Sequence, residues 1–154
     1  MNAPTRPLPP SGVFQGKLHL FPVRVYYEDT DLSGIVYHAN YLRWFERARS
    51  DLLRLLGIDQ RAASETGEGT YTVAELTIRY LAPARFDDAV TIATSTTELG
   101  AASVRLRQQA TRDGNLLADA SVRVGFISPD GRPRRQPSAW RAAFESLQSA
   151  KDAA

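Results

Sequence analysis

The chain has 154 residues, 43% of them hydrophobic and 23% charged, with a formal net charge of +2. That balance is ordinary for one soluble globular domain large enough to bury a core. It has no cysteine, which excludes disulfides, thiolate metal sites and a cysteine nucleophile. No run approaches the roughly 20 apolar residues of a membrane-spanning helix, so no membrane span is expected and the cytoplasm is the simplest location. Among the 19 basic residues only Lys17 and Lys151 are lysines. Arginine forks suit phosphate. The tightest cluster, Arg132, Arg134 and Arg135, sits in a proline-flanked turn without interleaved aromatics, so nucleic acid is not an expected partner.

In chain order, residues 1–17 carry Pro4, Pro7, Pro9 and Pro10 and no apolar core of a secretion signal. They read as a disordered lead-in. Residues 18–149 form one domain, and 150–154 a disordered tail. Residues 19–28 alternate as a strand, with Val23 and Val25 on one face and Arg24 on the other. Residues 29–37 are loop. Residues 40–57 then have helical spacing. Tyr41, Trp44, Phe45, Ala48, Leu52, Leu55 and Leu56 form the apolar stripe, Arg43, Arg47, Asp51 and Arg54 lie opposite, and Gly57 marks the stop.

Four alternating runs follow, over 72–81, 89–99, 103–111 and 117–127. Period two predicts strands with one wet and one buried face. In the first, Ala74, Leu76, Ile78 and Tyr80 share a face. Asp113-Gly114 between the last two is a strong hairpin signal. Ser138 is placed to cap a short final helix containing Trp140, Ala143, Phe144 and Leu147. The order predicts an α+β domain, an antiparallel five-stranded sheet curled around one long helix.

The chemistry is concentrated in YYEDTDLSGIVYHANYLRWFERAR, residues 26–49, which holds Glu28, Asp29, Asp31, Gly34 and His38, one of two histidines. An acidic, Gly-containing loop feeds a helix start. Unpaired N–H groups there attract negative charge, and a carboxylate beside them can attack a carbonyl or activate water. Asp31 also has a plain reading as a turn residue. Glu28 and Asp29 read as loop or helix-start stabilisers. Glu46 and Arg49 read as an ion pair on the helix surface. Gly34 suits a backbone angle other residues resist, and Tyr37 and Tyr41 pack or line a pocket. A metal site built from Glu28, Asp29, Asp31 and His38 is rejected because the acids are crowded in sequence.

This segment, with its core Asp-x-x-Gly-Ile-Val-Tyr-His-x-x-Tyr, resembles the hotdog-fold acyl-CoA thioesterases. Its nearest likeness is the Tol–Pal-associated YbgC-type branch, with hydroxybenzoyl-CoA thioesterase as a wider relative. The resemblance implies hydrolysis of an acyl-CoA without cofactor or metal. Asp31 takes the catalytic carboxylate position. His38 stands at the helix start where a backbone N–H polarises the thioester carbonyl, and Tyr27 falls where related enzymes place a tyrosine near the site. Gly34, Tyr37, Asn40 and Tyr41 are the expected substrate-binding positions, with N–H groups near His38 to Asn40 holding the oxyanion. Arg85 and the 132–135 arginines are candidate contacts for coenzyme A phosphates. The resemblance also implies homodimers or homotetramers with sites between subunits. Enoyl-thioester hydration is disfavoured by the motif. A scaffold binding acyl carriers, or envelope and lipid-synthesis proteins, is the competing expectation.

Overall fold

A computed structural model of the chain describes residues 5–148. The expected tail at 150–154 and the first four residues lie outside them. Alternating apolar residues build one sheet from β1 (Val13–Gln15), β2 (Leu18–Arg24), β3 (Thr70–Tyr80), β4 (Ala89–Leu99), β5 (Ser103–Arg112) and β6 (Asn115–Ile127). The spatial order is β1-β2-β4-β5-β6-β3 and every neighbouring pair is antiparallel. The helices are α1 (Asn40–Leu55), α2 (Gln60–Glu65) and α3 (Ser138–Leu147). No helix among the described residues is long and apolar enough to cross a membrane.

One sheet face is apolar and α1 lies across it. Tyr41, Trp44, Phe45, Ala48 and Leu52 are buried against Val23, Val90, Ile92, Leu106 and Val122. Each such side chain contributes on the order of 1.5–3 kcal/mol by leaving water, alanine less. Helix α1 ends as its glycine requires. Gly57 has φ +78° and donates to Arg54 O, while the Ile58 N–H reaches back to Leu53 O, the paired bonds of a Schellman stop. The β5–β6 turn has Asp113 at φ 51° and Gly114 at φ 79°, two left-handed residues whose twist matches a tight hairpin.

Several expectations are corrected. The sheet has six strands, not five, because β1 folds back on β2 from within the expected lead-in. Helix α2, begun by an Asp59 side chain accepting from the Ala62 N–H, is too short for its periodicity to show in sequence. Leu55 is exposed rather than part of the buried stripe. Ser138 is the first residue of α3 and not its cap; the Pro137 carbonyl accepts from the Trp140 and Arg141 N–H groups. On β3, a bulge between Val73 and Glu75 interrupts the alternation, so Leu76 and Ile78 are half-buried while Ala74 and Tyr80 are exposed.

Asp51 is also displaced from expectation. It is only 3% exposed, because the β1–β2 hairpin covers it. Its carboxylate accepts from Ser11 Oγ and the Gly12 N–H, both at 2.9 Å, and from buried His19 Nε2 at 2.7 Å. Burial pushes the Asp51 carboxyl up, but the bonds from His19, Gly12 and Ser11 outweigh it and hold the group below its ordinary value. The folded-state value therefore lies below the unfolded one. The pairing stabilises the fold above the ordinary aspartate range of ~3.9 and loses that contribution as pH falls through the folded value. Asp51→Ala is expected to cost about 3 kcal/mol in urea unfolding at neutral pH, with the difference from the parent shrinking as pH falls through the folded-state value.

Candidate active site

The acidic loop is held by its own backbone. Tyr27–Asp29 forms a single 3-10 turn, and Asp29 is its anchor. One Asp29 carboxylate oxygen accepts from the Tyr26 N–H at 2.8 Å. The Asp29 carbonyl accepts from the Tyr37 N–H at 2.9 Å and from Asn40 Nδ2 at 2.8 Å. Thr30 and Val36 form a bridge, as do Ile35 and Arg85, so the loop closes on itself and leans on the segment before β4. Residues 31–34 are a tight turn. Gly34 donates to the Asp31 carbonyl at 3.0 Å with φ +80°. Nothing lies within 4 Å of where a Cβ would stand on Gly34, so the backbone angle, not crowding, requires glycine.

Asp31 is exposed on the single chain. Its Oδ1 accepts from the Ser33 N–H at 2.8 Å and from the Ser33 hydroxyl, while Oδ2 takes neither bond. The Ser33 hydroxyl first, then the Ser33 N–H, holds the carboxyl below its ordinary value, with His38 adding a smaller pull in the same direction. The group is thus a carboxylate at neutral pH with one oxygen spent and one available. The turn reading and the chemical reading describe the same side chain.

His38 is exposed at the mouth of α1. Its ring lies 4.5 Å from that of Tyr37 and 6.1 Å, edge-on, from that of Tyr80. The Tyr80 hydroxyl donates to the His38 carbonyl at 2.8 Å, tying β3 to the helix mouth. Among the described residues, the backbone N–H groups of His38 and Ala39 donate to no partner. The Asn40 N–H is spent on the Tyr37 carbonyl at 2.9 Å. Asn40 is therefore a clamp with both its N–H and its side-chain amide already engaged. Tyr41 is buried in an aromatic cluster with Trp44, Phe45 and Tyr80. A cleft lined by Ile35, His38, Tyr41, Tyr80, Leu81 and Pro83 opens beside the mouth.

The remaining expected positions separate. Tyr27 is 83% exposed, projecting from the loop with no partner for its ring among the described residues. Arg85 is beside the loop through Ile35. Arg134 is not: it bonds the Gly67 and Glu68 carbonyls, at the opposite end of β3 from Tyr80. Glu46 and Arg49 form no ion pair among the described residues; Glu46 instead accepts from the Ser50 hydroxyl at 2.8 Å. Ser33 and Tyr80 were not singled out by sequence. Ser33 carried a signal, since Asp-x-Ser is an Asx-turn pattern. Tyr80 carried none, because its contact crosses 42 residues.

A carboxylate, a helix mouth with unspent N–H groups and a long helix packed inside an antiparallel sheet now stand together. The family model for the thioesterase superfamily matches residues 33–118. The chain belongs to the thioesterase superfamily. Its sheet around one helix is the superfamily's hotdog fold, and its likeness is to the YbgC type. It is 39% identical over 128 residues to the acyl-CoA thioesterase YbgC of Haemophilus influenzae, covering 82% of this chain and 94% of that one. It is 39% identical over 130 residues to the acyl-CoA thioester hydrolase YbgC of Escherichia coli, covering 83% and 96%. A probable thioesterase from Bartonella henselae, known from its crystal structure, shares 36% identity with a TM-score of 0.75, covering 78% of this chain and 99% of that one.

For this thioesterase-superfamily loop, Ser33→Ala removes the hydroxyl that most lowers the Asp31 carboxyl. The Asp31 side-chain carbon, followed by NMR, is expected to titrate at higher pH in the variant, nearer the ordinary aspartate value. An unchanged midpoint would show that Ser33 does not set it.

Proposed function

We propose that this chain is an acyl-CoA thioesterase in which Asp31 and the N–H groups at the mouth of α1 act on the thioester carbonyl. The observation that carries this reading is the pairing of an ionised carboxylate, with Oδ2 unspent, and two unspent backbone donors on one short loop. Asp31 attacks the carbonyl carbon or takes a proton from a water that does. The carbonyl electron pair moves onto oxygen and is received by the His38 and Ala39 N–H groups. Collapse expels the coenzyme A thiolate, which takes up a proton, with the His38 imidazole handling protons or holding the substrate. Where water attacked, the free acid is released directly, and where Asp31 attacked, water then cleaves the acyl–Asp31 anhydride to release the acid and restore the carboxylate. Water is the only co-reactant. Donors aimed at a developing oxyanion contribute on the order of 10²–10³-fold each.

Tyr27, Gly34, Tyr37 and Tyr41 complete the site in this reading, Gly34 by shaping the turn and the tyrosines by lining the approach. Arg85 is the arginine placed to meet coenzyme A phosphates. The exposure of Asp31 and Tyr27 on one chain supports a site closed by a second copy. Strand β3 is an eleven-residue edge with exposed Val73 and Tyr80, and long unprotected edges are ordinarily covered. Pairing through β3 would give a homodimer, and further association a homotetramer. The enzyme would work in the cytoplasm. A scaffold for acyl-carrier, Tol–Pal or lipid-synthesis proteins is the alternative that tight acyl-CoA binding without thiol release would select.

Asp31→Asn is expected to retain the parent's circular dichroism and oligomeric state and to lose acyl-CoA hydrolysis by about 10²–10⁴-fold. Thiol release from a panel of acyl-CoAs measures this, and turnover within threefold of the parent would remove Asp31 from the role.

A further inference from the structure

The first turn of α1 leaves one carbonyl without a helical partner. The Leu42 N–H goes to the Ala39 carbonyl at 3.1 Å, and no backbone N–H among the described residues reaches the His38 carbonyl. Its partner comes from another element, the Tyr80 hydroxyl, which donates to it at 2.8 Å. Tyr80 is the last residue of β3, opposite Ala118. The chain just beyond it is held by the Leu81 and Ala82 N–H groups, which donate to the Leu117 carbonyl at 2.8 and 3.2 Å. Its ring stands edge-on to those of Tyr41, 5.6 Å away, and His38, 6.1 Å away. Burial pushes the Tyr80 hydroxyl above its ordinary value, so it stays protonated and able to donate.

The His38 carbonyl belongs to the same peptide as the Ala39 N–H. In a trans peptide the two groups point in opposite directions within one conjugated plane, so a bond that fixes one fixes the other. Ala39 has helical angles, φ −71° and ψ −19°. With the carbonyl held by β3, its N–H is turned away from that strand, toward the open end of the helix where first-turn N–H groups project. The preceding peptide is built alike. Its Tyr37 carbonyl accepts from the Asn40 N–H at 2.9 Å, and its N–H is that of His38. Each of the two unspent donors is thus backed by a bond to the carbonyl of its own peptide. Such a bond also polarises the amide and strengthens its N–H as a donor.

We propose that Tyr80 is the positioning residue of the oxyanion site, holding and polarising the His38–Ala39 peptide so that its N–H meets the thioester oxygen as charge develops there. This rests on the thioesterase reading, which puts that oxygen at the mouth of α1. The bond behind the His38 N–H comes from α1 itself. The bond behind the Ala39 N–H comes from a side chain 42 residues away in sequence, so that donor is set by how the end of β3 seats against the helix. A plain tie between strand and helix could use any carbonyl. This one has no backbone partner, and the N–H across its peptide has no partner at all among the described residues.

Tyr80→Phe deletes the hydroxyl and keeps the ring against Tyr41 and His38. Tyr80 is 45% exposed, so the change leaves the core intact, and circular dichroism checks the fold. Thiol release from hexanoyl-CoA and benzoyl-CoA gives kcat and KM. The expected result is a fall in kcat of about tenfold, part of the 10²–10³-fold order that a whole oxyanion donor contributes, with KM within twofold of the parent. A loss of that form belongs to an interaction realised in the transition state, whereas a loosened fold would move both constants. The readout independent of turnover is the infrared frequency of the bound thioester carbonyl, isotope-labelled at carbon, with Asp31→Asn alone and combined with Tyr80→Phe. Binding to Asp31→Asn is expected to lower the frequency from its value in free solution, and loss of the hydroxyl to diminish that shift. A folded Tyr80→Phe whose kcat stays within twofold of an active parent, whose loss lies in KM alone, or whose bound carbonyl is unmoved overturns the proposal and leaves the thioesterase reading standing. A carbonyl shift that depends on Tyr80, in a parent that releases no thiol, supports the positioning role and overturns the activity instead. Absence of both thiol release and a Tyr80-dependent shift overturns the two together.

Discussion

The burial of one face of α1 against the concave sheet sets the positions of all the groups with chemistry. Trp44, Phe45, Ala48 and Leu52 are each within 1% of complete burial, so the helix can neither slide nor rotate without opening voids in close-packed surroundings. With the helix fixed, its mouth is fixed, and with it His38, Ala39 and the clamp made by Asn40. The same rigidity fixes Arg49 against Gln108 and Asp51 beneath the β1–β2 hairpin. One packing constraint thus places a candidate oxyanion site and the buried Asp51–His19 contact on a single rod.

Polar side chains on and around the rod are handled differently according to where they fall. Asp51 is given three donors and a near-complete shield from water, and its contribution is to hold the N-terminal hairpin down. Gln108 reaches from β5 to bridge the Phe45 carbonyl, Thr94 and Arg49, so a polar group at the centre of the core is fully used on its amide side. Asp31 receives help at one oxygen only. Two of these three groups are satisfied by the fold. The third, in the exposed loop, keeps the capacity a substrate would use.

Local information carried most of the architecture. Periods of two and of three to four residues located β4 without error and β2, β3, β5, β6 and α1 to within a few residues, because each pattern is read from neighbours in sequence. Gly34, Gly57 and Asp113-Gly114 mark real left-handed positions, since that preference belongs to the residue itself. What failed was nonlocal. The β1 strand has three residues and no pattern of its own; it exists because Asp51, 39 residues away, accepts from Gly12. For the same reason Asp51 looked like a solvent-facing residue and Glu46–Arg49 like an ion pair. The candidate site was legible as a cluster of residue types, but Ser33's grip on Asp31 and Tyr80's grip on the His38 carbonyl became visible only with the chain folded.

The start of α1 departs from what stability alone would choose. Helices usually begin with a serine, threonine, aspartate or asparagine whose side chain accepts from the first N–H groups, and replacing such a cap by alanine costs about 1 kcal/mol. Here Ala39 stands at that position with no side-chain capping bond, and the first turn contains no acid. The acids nearest in sequence, Glu28, Asp29 and Asp31, belong to the preceding loop, and Asp29 and Asp31 are tied to their own turns. The positive end of the helix is therefore left uncompensated by its own chain, next to a carboxylate held in its charged form. A local rule broken where the surrounding packing is otherwise consistent points to a use for the broken element. An acidic cap at this position would accept from the N–H of residue 41 or 42 and set a second negative charge beside the one that a thioester oxygen gains, so the stability forgone at Ala39 suits the chemistry assigned to the loop.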